Sequence, residues 1–211
     1  MSAENLKVLP MSSILRCLER LKEAFYALPS VTPKGAAKLA TDFIKLSQEE
    51  RVKFMNEISQ ASQSIKICAV CGNFSTADIC DICSDTGRRD EVVCVVEDVM
   101  DVTALEDAGF DGKYHVLGGR IDPLNKVMPD DLNIAALFKR LAEGKIKEVI
   151  IGTNLNRKGA ATARYIFNEI KRNFGNITVT QPAHGLSEGS EIIYVNPQTL
   201  KEAVERRTSF Q

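Results

Sequence analysis

The sequence has no tryptophan, two histidines, and aromatic side chains at only 6% of its 211 positions. Charge imbalance is also missing: 27 lysines and arginines stand against 28 acidic residues, a formal net charge of -1. That balance argues against a generally basic nucleic-acid binder. It leaves room for a local basic surface, because the placement of charges sets the field that a polyanion meets. The longest purely apolar runs hold about five residues, such as Val92 to Val96, where a membrane-spanning helix needs about 20. The opening MSAENLKVLP has no apolar stretch of signal-peptide length. There is no internal repeat and no Gly-x4-Gly-Lys-[Ser/Thr] phosphate loop, so ATP use is not indicated. With 44% hydrophobic and 26% charged residues, a disordered or collagen-like chain is excluded, and the length holds one domain or a few small ones. A soluble, intracellular protein is expected. In a reducing compartment its six cysteines serve as thiols or metal ligands rather than disulfides.

Residues 11 to 28 place Met11, Ile14, Leu15, Leu18, Leu21, Phe25 and Leu28 at helical spacing, and Pro29 ends the helix. Ala36, Leu39, Ala40, Phe43 and Ile44 resume that spacing after a tight connection. Ser47 followed by Glu50 has the capping-box pattern and opens a third helix through Val52, Met55, Ile58 and Ala61. From residue 91 the pattern changes. Short apolar runs at Val92 to Val96, Tyr114 to Leu117, Val149 to Ile151, Ile177 to Val179 and Ile192 to Val195 alternate with helical stretches around Leu137 and Ile166. Such alternation predicts an α/β fold with a mainly parallel, doubly wound sheet.

Cys68-x2-Cys71-x8-Cys80-x2-Cys83 is the strongest chemical signal. Each Cys-x2-Cys knuckle aims two thiolates at one point. Two knuckles make a closed tetrahedral site that suits zinc at about 2.3 Å per bond, with no open position for catalysis. An iron-sulfur cluster or a redox pair are the alternatives. Cys17, near an apolar stripe, and Cys94, inside a hydrophobic strand, are expected as buried thiols.

The segment LPSVTPKGAAKLATDFI, Leu28 to Ile44, resembles the helix-hairpin-helix of the RecR recombination-mediator family, whose pattern is Leu-Pro-Gly-x-Gly-x-Lys-x-Ala-x-Arg-Leu-Ala. The four cysteines follow at the family spacing, and residues 92–137, 148–166 and 184–207 continue the likeness through a Toprim-like region, including Tyr114-His115-Val116-Leu117-Gly118-Gly119. The resemblance implies a helical domain at 1–65, a four-cysteine zinc finger at 66–90, a Toprim-like domain at 91–183 and a C-terminal strand and helix at 184–211 for oligomerisation. A hairpin of this kind offers backbone N–H groups at a helix N-terminus to a phosphate, without reading sequence. Here Ser30 and Thr32 replace the two glycines, and Lys34 and Lys38 match the basic positions.

Catalytic Toprim enzymes hold Mg2+ with a glutamate after the first strand and an Asp-x-Asp after a later one. Glu97, Asp98 and Asp101 follow the first strand here, but Asn154 and Asn156 stand where the aspartates belong, and neutral amides cannot supply that charge. Glu97, Asp98 and Asp101 are candidate partner-binding residues. Lys158 and Ala160 occupy the positions of two family glutamates. Residues 145–172 carry a local excess of +5 after a segment, 88–144, of -5, which makes Arg157 and Lys158 candidate DNA contacts beside Lys34 and Lys38. His115, alternating along a strand, is expected to be structural.

The resemblance implies a non-catalytic DNA-repair mediator of the bacterial cytoplasm, associated with the nucleoid. It would assemble as a dimer or tetrameric ring and work with RecO- and RecF-type proteins to load recombinase on gapped DNA, with one structural zinc per chain. The alternatives are an Mg-dependent Toprim enzyme, such as a nuclease or primase, and a paralogue that has lost DNA binding.

Overall fold

The computed structural model describes residues 13–154, 156–183, 186 and 189–205; Met11, Leu155, His184 and Gly185 lie outside them. The chain divides between Ser64 and Ile65 into two compact units.

The described residues of the first unit form three helices, α1 (Ser13–Tyr26), α2 (Pro33–Lys45) and α3 (Gln48–Ser64). The capping box forms as the sequence suggests. Ser47 Oγ accepts from the Glu50 amide at 3.2 Å, and Glu50 Oε2 accepts from the Ser47 amide at 2.8 Å. Ala36 and Ala40 are fully buried on α2, and small residues there let α1 pack closely. Phe25 meets Phe43 at 6.4 Å between ring centres, and Phe43 meets Phe54 at 5.7 Å. The interior ends there. No residue of α3 is buried, and Val52, Met55 and Ile58 are all exposed. Cys17, expected in the core, is exposed as well, because α1 has more apolar surface than one neighbouring helix can cover.

The second unit starts with the cysteine segment: a two-stranded antiparallel ribbon, β1 (Lys66–Ile67) and β2 (Phe74–Ser75), and a single helical turn, α4 (Asp81–Ser84). The main sheet contains β3 (Arg89–Val96), β4 (Gly112–Val116), β5 (Glu148–Ile151) and β6 (Thr178–Thr180), all parallel, in the order β4-β3-β5-β6. The helices α5 (Val99–Asp107), α6 (Ile134–Ala142) and α7 (Arg157–Asn173) connect the strands, and α8 (Pro197–Glu205) follows β6.

Strand β3 explains the architecture. Its run of β-branched residues is buried on both faces, as a central parallel strand must be. Val93 and Val95 join Leu117, Leu137, Leu141, Ile166 and Ile170 in one core. Cys94 and Val96, pointing the other way, join Val102, Tyr114 and Val116 in a second. Burial pushes the Cys94 thiol up to about 12, so it behaves as an inert apolar group. The first four predicted strands form. The fifth does not: Ile192–Tyr194 is a 3-10 turn, closed by Val195 N donating to Ile192 O at 3.2 Å. No described strand lies beside it, and a strand without a ladder leaves its backbone groups to local bonds.

His115 on β4 is structural. It is fully buried, Nε2 lies 2.7 Å from Asn133 O, and burial lowers its pKa to about 4, with Arg140 adding to the effect against the Asn133 carbonyl.

Candidate functional site

The four cysteines converge. Every pair of their sulfurs lies within 4.8 Å, and Cys71 and Cys80 are 3.6 Å apart. A tetrahedral zinc with bonds of about 2.3 Å would separate its sulfurs by about 3.8 Å, so the donor set fits the ion. Local structure explains the convergence. Gly72, at φ +77°, turns the first knuckle where a side chain would strike Asn133 and the Val116 carbonyl. Cys80 is the N-cap of α4, whose single turn brings Cys83 round. Burial opposes the Cys68 thiolate, but N–H groups of Cys80, Cys71 and Val70 hold it at about 7. Cys71 is pushed up, first by its hydrogen bond with Cys83 and then by burial, and burial takes Cys80 to about 11. Four thiolates this close need a cation among them.

The finger is seated on the β4 edge of the sheet. Val116 N donates to Cys71 O at 2.7 Å, and Asn133 Nδ2 donates to Val116 O at 3.1 Å. Both Cys68 and Cys71 are buried.

At the ends of β3 and β5 the acidic residues do not gather. Glu97 is 3% exposed. Its Oε1 accepts from Asn154 N and its Oε2 from Asn154 Nδ2, both at 2.9 Å, while Arg120 lies 3.6 Å away. Gly159 is needed there, because a Cβ would stand 2.0 Å from Asn154 O and 2.7 Å from Glu97 Oε1. Asp98 and Asp101 close a capping box on α5: Asp98 Oδ1 accepts from Met100 N at 3.0 Å and Asp101 Oδ2 from Asp98 N at 2.9 Å. Among the described residues, the cysteine cluster is the one group of three or more cysteines, histidines or acids able to hold a metal ion. Glu97, assigned from the sequence to a partner surface, faces inward instead, since its carboxylate fixes the Asn154 loop. Asp98 remains exposed.

The next loop is tied to the same place. Lys158 Nζ pairs with Asp122, holding that carboxyl below the usual range, and Ile121 N donates to Thr162 Oγ1 at 2.9 Å. Asn156 caps α7, its Oδ1 accepting from Lys158 N at 3.1 Å and Gly159 N at 2.9 Å. Lys158 is thus not the free cation that the sequence suggests. Arg157 is exposed and has no ion pair among the described residues.

Comparison with known proteins agrees with this geometry. The family model of the RecR four-cysteine zinc finger domain matches residues 65–85, and that of the Toprim domain matches residues 91–181. The Recombination protein RecR of Brucella ovis is 41% identical over 194 residues, which cover 92% of this chain and 96% of that relative; the Brucella canis and Brucella abortus proteins match to the same extent. The chain belongs to the RecR family. Its cysteine cluster is the family's structural zinc site, and its parallel sheet is the Toprim domain. Like its relatives it is a recombination protein, and no helix among the described residues is long and apolar enough to cross a membrane.

The RecR hairpin lies between α1 and α2. Ser30 adopts φ +70°, a left-handed conformation that suits glycine. Thr32 is the N-cap of α2, and its Oγ1 accepts from Gly35 N at 3.1 Å. Pro33 has no N–H and Ala36 N donates to Thr32 O at 2.8 Å, so of the first four positions Lys34 N alone is without a partner among the described residues. Lys34 and Lys38 are exposed and unpaired among the described residues. Sequence reasoning missed Arg120, Asp122 and Gly159. Gly159 had a signal, a glycine just inside a helix start; the others are charged residues with no telling spacing.

Proposed function

We propose that this chain is a non-catalytic recombination mediator that binds the DNA backbone, assembles as a homo-oligomeric clamp, and acts with RecO- and RecF-type partners to load recombinase on gapped DNA. One observation carries the non-catalytic reading: both oxygens of Glu97 accept hydrogen bonds from Asn154. Mg2+ needs anionic oxygens at about 2.0–2.1 Å in a near-octahedral shell, and an amide-bonded carboxylate beside Arg120 offers no such set. DNA contact falls to Lys34, Lys38 and Arg157, and partner contact to the rim at Asp98 and Asp101. Lys158 takes part only if its pair with Asp122 opens.

A second reading, a paralogue without DNA binding, is favoured by Thr32 Oγ1, which occupies an amide that a phosphate would use. Anisotropy of labelled gapped DNA across a salt series separates the two. The mediator reading expects binding at low salt, and Lys34→Ala with Lys38→Ala lowers the slope of log affinity against log salt by about 1.8, or about 0.9 per lost phosphate contact. No binding at low salt, alone or with a RecO-type partner, refutes it. Cleavage of the DNA with Mg2+, abolished by Glu97→Gln, establishes the enzyme instead.

A further inference from the structure

Lys113, the second residue of β4, has only 2% of its surface exposed. Buried lysines are rare without partners of matching charge. The nearest acid, Asp90, lies 3.3 Å away, but its own side chain is 71% exposed, so it answers the lysine from the solvent side. Inward, Lys113 Nζ donates to three carbonyls: Ile82 O at 2.8 Å, Cys83 O at 3.3 Å and Asp85 O at 2.5 Å. These carbonyls belong to the end of α4, the turn that supplies Cys83 and is capped by Cys80. A helix end leaves carbonyls without intrahelical partners, and an ammonium with three donors can satisfy them while matching the dipole.

We infer that Lys113 is a positioning residue of the zinc centre, holding the second knuckle as the Val116 amide holds the first. Two reasons support this. Four thiolates around Zn2+ leave a net charge of -2, so a cation fixed beside the site lowers the cost of assembling it. Outer-shell groups that orient ligands also sharpen the geometry of the first shell. Both knuckles then hang from one strand: Cys71 through Val116 and Cys83 through Lys113. Zinc occupancy and the order of the β4 edge are thereby linked.

The test is zinc affinity of the full chain, measured by competition with the chromophoric chelator 4-(2-pyridylazo)resorcinol. Lys113→Met keeps the length of the side chain but removes donors and charge, and is expected to weaken zinc about 10- to 100-fold. Lys113→Arg keeps both and falls between parent and Lys113→Met. Lys139→Met is the control: it removes an exposed lysine of the cleft lined by Val70, Cys83 and Arg140, and it leaves affinity within twofold. If Lys113→Met does not fold, Lys113→Leu, which also removes both donors and charge, carries the same comparison. Charge-transfer absorption of the Co2+-loaded proteins reports thiolate coordination directly, and Lys113→Met dims it. Unchanged zinc affinity in a folded Lys113 variant, or a loss matched by Lys139→Met, overturns the inference.

Discussion

Among the described residues of the helical unit the buried ones are two alanines, Ala36 and Ala40; in the sheet unit they include Leu117, Leu137, Leu141, Ile166, Ile170 and the run from Val92 to Val96. Both units are rich in apolar side chains, so the difference lies in what covers them. A parallel sheet with helices on both faces encloses its own core, whereas three short helices leave Ile14, Leu15, Val52, Met55 and Ile58 in solvent. The sheet unit spends its hydrophobicity on folding, and the helical unit keeps much of its own on the surface, in accord with the proposed homo-oligomer.

Truncations on the two sides measure that contrast. Leu137→Ala, at a site with no exposed surface, should cost about 2–5 kcal/mol in denaturant unfolding, through lost transfer energy and the cavity left behind. Met55→Ala on α3, 60% exposed, should stay within about 0.5 kcal/mol at concentrations where the chain is monomeric. A cost above about 2 kcal/mol at Met55 under those conditions would break the contrast and reveal an interior in the helical unit.

Acid should separate the units next. Burial holds His115 at about 4 against 6.5 for a free histidine, so between those values the unfolded chain binds a proton that the folded chain does not. Its effect on stability is therefore nil above about pH 6.5, and up to about 3 kcal/mol is lost as the pH falls to about 4. Hydrogen exchange should show β4 losing protection over that range while α2 does not, and His115→Leu should flatten this part of the dependence. Equal loss of protection in α2 would mean that the two units unfold as one.

The parts of this molecule legible in the sequence are those where one local rule decides. The Cys-x2-Cys spacing determines the zinc ligands, the run VVCVV the central strand, and Ser47 with Glu50 the start of α3. Where several distant groups decide together, the sequence is silent or misleading. Lys158 reads as a free base until Asp122, 36 residues away, is brought beside it. Glu97 and its neighbours read as an acidic cluster until Asn154 and two helix-capping bonds divide them. Ile192 to Tyr194 reads as a strand by composition, but a strand also requires a neighbour, which no residue type encodes.

The smallest expected effect concerns the hairpin, where the helical unit's role is to present groups rather than bury them. A non-glycine residue in the left-handed region costs about 1–2 kcal/mol, so Ser30→Gly relieves strain, less the extra freedom it gives the unfolded chain. Thr32→Gly removes the side-chain cap of α2 at a cost of about a few tenths of a kcal/mol. The double variant should therefore fold about as stably as the parent while exposing the Gly35 amide. One additional hydrogen bond to a phosphate, about 1 kcal/mol, would tighten binding to gapped DNA about fivefold at constant salt. Because stability barely changes, a change in affinity reports the amide itself. If the double variant binds no better than the parent, the backbone of this turn does not touch phosphate, and the contact rests on the side chains of Lys34 and Lys38 alone.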